Sequence, residues 1–136
     1  MLEISCGTIL FTINDNEILY LLIKDNKGVC GFPKGHTEAK ETDIQTALRE
    51  TWEETSIKPE LVKGFRTEIK YKLENGNDKI CIFYLGDFSN QIPKSNETFE
   101  QFDFLILPFL DAYEMLSFPN SKLLLKQANE YLKNNM

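Results

Sequence analysis

The strongest constraint on the fold is a change of period in the middle of the chain. Over residues 42–55 helix formers dominate, while on both sides the apolar residues come in short β-branched runs. Ile4–Thr12 and Ile18–Ile23 read as two strands joined by a turn at Asn14-Asp15-Asn16. A loop of three glycines and Pro33 follows, from Lys24 to His36. Strands resume at Leu61–Leu73 and Lys79–Phe88, with Asn75-Gly76-Asn77-Asp78 as the hairpin turn between them. After a polar loop, Ser89–Gln101, come a strand at Phe102–Leu107, a short helix at Asp111–Leu116 and an amphipathic helix at Ser121–Asn134. One helix among strands, and another closing the chain, predicts an α+β architecture: a mixed β-sheet packed between helices, as an α/β/α sandwich.

Composition narrows the class. The chain has 136 residues, 42% hydrophobic and 26% charged, which fits one globular domain over residues 1–136 and excludes a disordered chain. The net charge of −6 argues against bulk attraction to nucleic acid. No run approaches the ~20 apolar residues that span a bilayer, so no membrane role is expected. The first residues, MLEISCGTILF, lack a basic region and a cleavage site, so the expected location is cytoplasmic. Cys6, Cys30 and Cys81 are odd in number and without metal-type spacing, which predicts reduced thiols in apolar segments.

The expected central helix carries the chemistry. Thr42 or Asp43 is its N-cap, Pro59 follows its end, and Ile44 and Leu48, joined by Thr51 or Thr55, form its apolar stripe. Glu50, Glu53 and Glu54 then crowd one face at i, i+3 and i+4, where like charges repel. Two explanations stand for such a patch: a solvated acidic face, or one wall of a site for a hard divalent cation held by oxygen ligands. Upstream, Gly31-Phe32-Pro33-Lys34-Gly35-His36 adds a backbone able to approach a ligand closely and a cation for phosphate.

The stretch from Gly35 to Ile57, GHTEAKETDIQTALRETWEETSI, resembles the Nudix box. Gly35, Glu41, Arg49, Glu50, Glu53, Glu54 and Ile57 match its fixed positions. Two positions depart: Thr51 stands where an aliphatic is expected, which predicts looser packing under the helix, and Ser56 stands for a glycine, which predicts a strained helix exit. Pro33-Lys34-Gly35-His36, Ser5–Phe11, Gly64–Tyr71, Ile82–Leu85 and Leu116-Ser117-Phe118 are similar to segments of the diadenosine tetraphosphate hydrolase branch.

The resemblance implies a Nudix fold and hydrolysis of a nucleoside polyphosphate anhydride, above all asymmetric cleavage of diadenosine tetraphosphate to ATP and AMP. The alternatives are another substrate of the family, such as a 5′-triphosphate RNA end or a nucleoside triphosphate, and a non-catalytic nucleotide-binding module. It further implies Mg2+ or Mn2+, two or more ions with substrate bound, and a monomer or weak dimer acting on a small nucleotide. As metal ligands it implies Glu50, Glu53, Glu54 and the backbone carbonyl of Lys34, completed from the Ser95–Glu100 loop by Glu97, with Glu100 as the alternative. Glu53, Glu54 and Glu97 are the implied catalytic groups, held in place by Arg49 and Glu41. Contacts to phosphate fall to Lys34, His36, Arg66, Lys70 and Tyr71, and by the resemblance Phe83 and Tyr131 clasp adenine. For His36 a plain loop hydrogen bond is the competing reading. For Phe83 and Tyr131 it is core packing, in a chain with ten phenylalanines and five tyrosines.

Overall fold

A computed structural model describes residues 1–96 and 98–135. Seven strands form one mixed sheet: β1 (Leu2–Asn14), β2 (Glu17–Lys24), β3 (Cys30–Gly31), β4 (Lys34–His36), β5 (Glu60–Lys72), β6 (Asp78–Asp87) and β7 (Asp103–Pro108). Three helices complete it: α1 (Asp43–Thr55), α2 (Phe109–Met115) and α3 (Pro119–Asn134). The expected strands, turns and helices are all present, with ends shifted by a few residues. β3 and β4 are additional, inside the stretch expected to be a loop.

The sheet is organised around β1. It runs parallel to β6 from Leu2↔Asp78 to Phe11↔Asp87. Its other edge is shared: β4 pairs with Ser5–Gly7, and β2 pairs with Leu10–Asn14. The β1–β2 turn places Asp15 and Asn16 both at positive φ, 49° and 64°, as a tight hairpin of right-handed strands needs. β7 lies on the far edge of β2, and β5 on the far edge of β6.

Alternation along the strands divides the residues between two faces. On one face, Ile9, Phe11, Phe83 and Leu85 pack with Leu124, Leu125, Ala128 and Leu132 of α3. Tyr20 is fully buried here, and its hydroxyl donates to Asn129 Oδ1 at 2.7 Å, so its polar end is satisfied. The other face is thinner: Cys6 and Ile82 pack with Ala47 of α1.

α1 begins as its sequence predicts. Thr42 is the N-cap in a capping box with Gln45: Gln45 N–H donates to Thr42 Oγ1, and Thr42 N–H donates to Gln45 Oε1. Its buried stripe agrees with the expected one at Thr51 and Thr55 and differs at Ile44 and Leu48. The residues turned to the sheet are Thr46, Ala47, Thr51 and Thr55, while Ile44 remains 44% exposed and Trp52 40%. Small side chains let the helix approach β1 closely, and Thr51 finds a partner there: its Oγ1 lies 2.7 Å from Oγ1 of Thr8, both side chains fully buried. The threonine that departs from the aliphatic position therefore sits in a satisfied contact. At the helix exit Ser56 does adopt the left-handed conformation, at φ 60°.

Candidate functional site

Two glycines bring the short strand β4 against the glutamates of α1. At Gly7 a Cβ would stand 2.0 Å from the carbonyl oxygen of Pro33, so only glycine lets Pro33 and Lys34 cross β1 there. At Gly35 a Cβ would stand 2.1 Å from the carboxyl carbon of Glu50, so the Glu50 carboxylate rests directly on the β4 backbone. The same approach brings Lys34 N–H to Glu54 Oε1, at 3.3 Å.

Arg49 organises the remaining acids. Its Nη1 donates to Glu50 Oε2 at 2.7 Å and to Glu53 Oε2 at 2.9 Å. Nε and Nη2 grip Glu41 at 2.7 and 3.1 Å, and Nη2 also donates to the carbonyl of His36 at 3.0 Å. Glu41 is held down to a pKa of about 2, chiefly by this guanidinium and then by the Glu38 backbone. Arg49 in turn is held more firmly protonated than usual, first by Glu41. One guanidinium thus ties three carboxylates to the β4 backbone, which fixes their spacing.

One cation cannot neutralise the set. Burial raises the Glu50 carboxyl, against the pull of Arg49. Glu54 is raised to about 8, first by burial and then by the negative charge of Glu50. Carboxyls that are driven toward neutrality and yet packed together mark a place where added positive charge would be favourable. All the donors are oxygens, the chemistry of a hard divalent cation. Among the described residues no three acidic, thiol or imidazole groups already converge as a cage. Glu50 and Glu53 each turn one oxygen to Arg49 and Glu54 turns one to Lys34, leaving a second oxygen on each.

A cavity of about 230 Å3 opens beside these acids, lined by Glu54, Glu100, Lys34, Asp25 and Phe102. A second, of about 440 Å3, is lined by Tyr71, Cys81, Phe83 and Ile69. The two share Lys34, Phe83, Phe118 and Ser121, and so form one cleft, acidic at one end and without carboxylates at the other, where Tyr71 joins the aromatic side chains that line both. At the aromatic end the Tyr71 hydroxyl lies 3.7 Å from Cys81 Sγ, and its acidity is weakened, with its pKa pushed up to about 12 by burial and by Cys81.

The structure therefore brings together Lys34, Glu54, Glu100, Tyr71 and Phe83, with Glu50, Glu53, Arg49 and Glu41 immediately behind. Glu97 lies outside the described residues. Other expected contacts point elsewhere. The His36 ring lies 3.2 Å from Lys79 Nζ and 3.6 Å from Glu3 Oε1. Arg66 pairs with Asp43 and Glu68 at 3.3 and 3.2 Å, beside the start of α1. Lys70 is exposed and lies 3.7 Å from Glu68. Tyr131 packs edge-on to Phe65, and its hydroxyl donates to the Lys63 carbonyl at 2.7 Å. Neither Arg66 nor Tyr131 lines the cleft.

Phe118 and Lys79 escaped the residue-level reading. Phe118 is 55% exposed at the junction of the two cavities; in the sequence it is marked only by the similarity of Leu116-Ser117-Phe118 to the diadenosine tetraphosphate hydrolase branch, with no role attached. Lys79 did carry a signal. Alternation places it on the same face as Cys81 and Phe83, where a buried lysine needs partners. Its Nζ donates to Ser5 Oγ at 2.7 Å.

Comparison with known proteins gives this geometry a context. Residues 4–127 match the model of the NUDIX domain. The asymmetrical bis(5′-nucleosyl)-tetraphosphatases of pig and mouse are 29% and 28% identical to the chain, over 94% of it and 94% of each relative. Among solved structures, a Caenorhabditis elegans Ap4A hydrolase in a binary complex superposes with a TM-score of 0.87 at 20% identity, covering 97% of this chain and 98% of that one. The NUDIX domain of Shewanella oneidensis NrtR, solved with ADP ribose, superposes with a TM-score of 0.79 at 23% identity, covering 97% and 89%. At these identities the structural likeness speaks for the fold.

Proposed function

The chain belongs to the NUDIX domain family, and from that premise we propose that it hydrolyses a phosphoanhydride bond of a nucleoside polyphosphate, with diadenosine tetraphosphate cleaved asymmetrically to ATP and AMP. The observation that carries the reading is the continuity of the cleft. Glu54 and Glu100 line one end, Tyr71 the other, and Lys34 and Phe83 stand where they meet. A nucleotide has the same two-part character, an anionic chain joined to a flat base.

In this reading Glu50, Glu53 and Glu54, the Lys34 carbonyl and Glu100 or Glu97 hold Mg2+ or Mn2+. When bound, such ions supply positive charge against the polyphosphate and Lewis acidity toward water. Arg49 and Glu41 keep the carboxylates in place. The Lys34 ammonium steadies a phosphate at the junction. Glu54 or Glu53 takes a proton from the attacking water. Tyr71 and Phe83 present ring faces to the base.

The test is product analysis with magnesium. Diadenosine tetraphosphate should give equal amounts of ATP and AMP, faster than 5′-triphosphate RNA or nucleoside triphosphates are turned over. Two molecules of ADP would contradict the cleavage position. Preference for RNA ends would move the substrate within the family. Binding of all these compounds with turnover of none would mark a non-catalytic nucleotide-binding module.

A further inference from the structure

The segment Ser89–Gln101 brings Glu100 to the cavity wall facing Glu54. Its described residues contain no helix or strand, so something else must fix its place. That support comes from the end of α1. Thr55 is the last helical residue, and its carbonyl accepts from Lys94 N–H at 2.8 Å, which satisfies a group the helix itself leaves unpaired. Ser56 Oγ donates back to the Lys94 carbonyl at 2.9 Å. Gln91 grips Lys58 with both ends of its amide: Oε1 accepts from Lys58 N–H and Nε2 donates to the Lys58 carbonyl, each at 2.8 Å. On the other side the loop closes on itself, where Ser95 Oγ accepts from Phe102 N–H at 3.0 Å and donates to the Phe102 carbonyl at 3.1 Å.

We infer that Ser56 and Gln91 are positioning residues, which clamp the Glu100-bearing loop to the C-terminal end of α1 and so set the distance between the loop carboxylate and Glu54. Ser56 is the telling member. At φ 60° it occupies backbone space that favours glycine, so a serine there sits against its own conformational preference. Its hydroxyl makes the one contact that glycine could not. The inference rests on the hydrolase reading for its catalytic consequence, while the clamp itself is a property of the metal-free chain.

Three variants of the full chain separate the clamp from mere helix stability. Ser56→Gly removes the hydroxyl and relieves the backbone. Ser56→Ala removes the hydroxyl and keeps the strain. Gln91→Ala opens the second grip. In metal-free protein, amide hydrogen exchange over residues 91–102 should quicken about 3- to 10-fold in the two Ser56 variants, the worth of one hydrogen bond, and by more in Gln91→Ala, which removes two. The Mn2+ concentration giving half-maximal hydrolysis should rise by a similar factor, while kcat at saturating metal changes less. Ser56→Gly should unfold within a few degrees of the wild type and Ser56→Ala lower, yet both should show the same rise in metal requirement. Overturning results are unchanged exchange in the loop, or a metal requirement that follows thermal stability and moves in Ser56→Ala alone. If the wild type hydrolyses nothing, the hydrolase reading fails, and the exchange measurement still decides the clamp.

Discussion

The two ends of the cleft are built in opposite ways. The acidic end comes largely from one continuous stretch, Lys34 to Glu54, in which a helix, Gly35 and one arginine set the geometry, with Gly7 of β1 leaving room for Pro33 and Lys34. The aromatic end is assembled from separate elements: Tyr71 from β5, Cys81 and Phe83 from β6, and Phe118 at the start of α3. Charge in the first is held under tension, with Glu54 raised to about 8 by burial and Glu50. The second is largely apolar wall, and its work is shape. A chemical step needs fixed charge and a base needs only a flat, dry surface, so the ends should respond differently to substitution.

Glu54→Gln should expose that difference most strongly. It preserves size and removes the charge, so kcat should fall about a thousandfold, with circular dichroism unchanged. Activity within a few fold of wild type would show that chemistry lies elsewhere. Gly35→Ala should come next. Its methyl would displace the Glu50 carboxylate, and metal affinity or turnover should drop about 10- to 100-fold. Unaltered metal activation would mean that Glu50 need not rest on β4. Tyr71→Ala probes the other end. There KM should rise about 10-fold, the value of one stacked base, while kcat holds. A fall in kcat with KM constant would make the two ends one functional unit.

A smaller effect concerns pH in the metal-free protein. Glu54 binds its proton more tightly when folded than its ordinary value of 4.5 would give. Its contribution to stability is therefore complete below about pH 4.5 and is lost as pH rises toward 8. Thermal midpoints should fall by a few degrees over that interval, and Glu54→Gln should flatten the slope. An equal slope in both proteins would remove Glu54 as its source.

The same contrast explains what could be read in the chain before its structure. The acidic end was legible because helical spacing alone puts Glu50, Glu53 and Glu54 together, and Thr42 and Gln45 cap the helix locally. The helix's inner stripe is legible at Thr51 and Thr55 and not at Ile44 and Leu48, for a physical reason. Hydrophobicity points to Ile44 and Leu48, but a helix lying close over β1 needs small residues, and Thr51 meets Thr8 across 43 positions of sequence. The aromatic end depends on strand register and on where α3 begins. Resemblance points to Phe83 as a base contact and the sequence offers Tyr71 only for phosphate, whereas Phe118 becomes a neighbour of Lys34 only in three dimensions.

The proposed chemistry depends on a divalent-cation site that the glutamates of α1 form at the head of this cleft. Its most direct measurement is a Mn2+ titration of the wild type and of Glu50→Gln/Glu54→Gln, followed by water-proton relaxation. Saturable binding in the wild type, lost in the double variant while its fold is retained, is the expected result. Equal binding by the two proteins would contradict it.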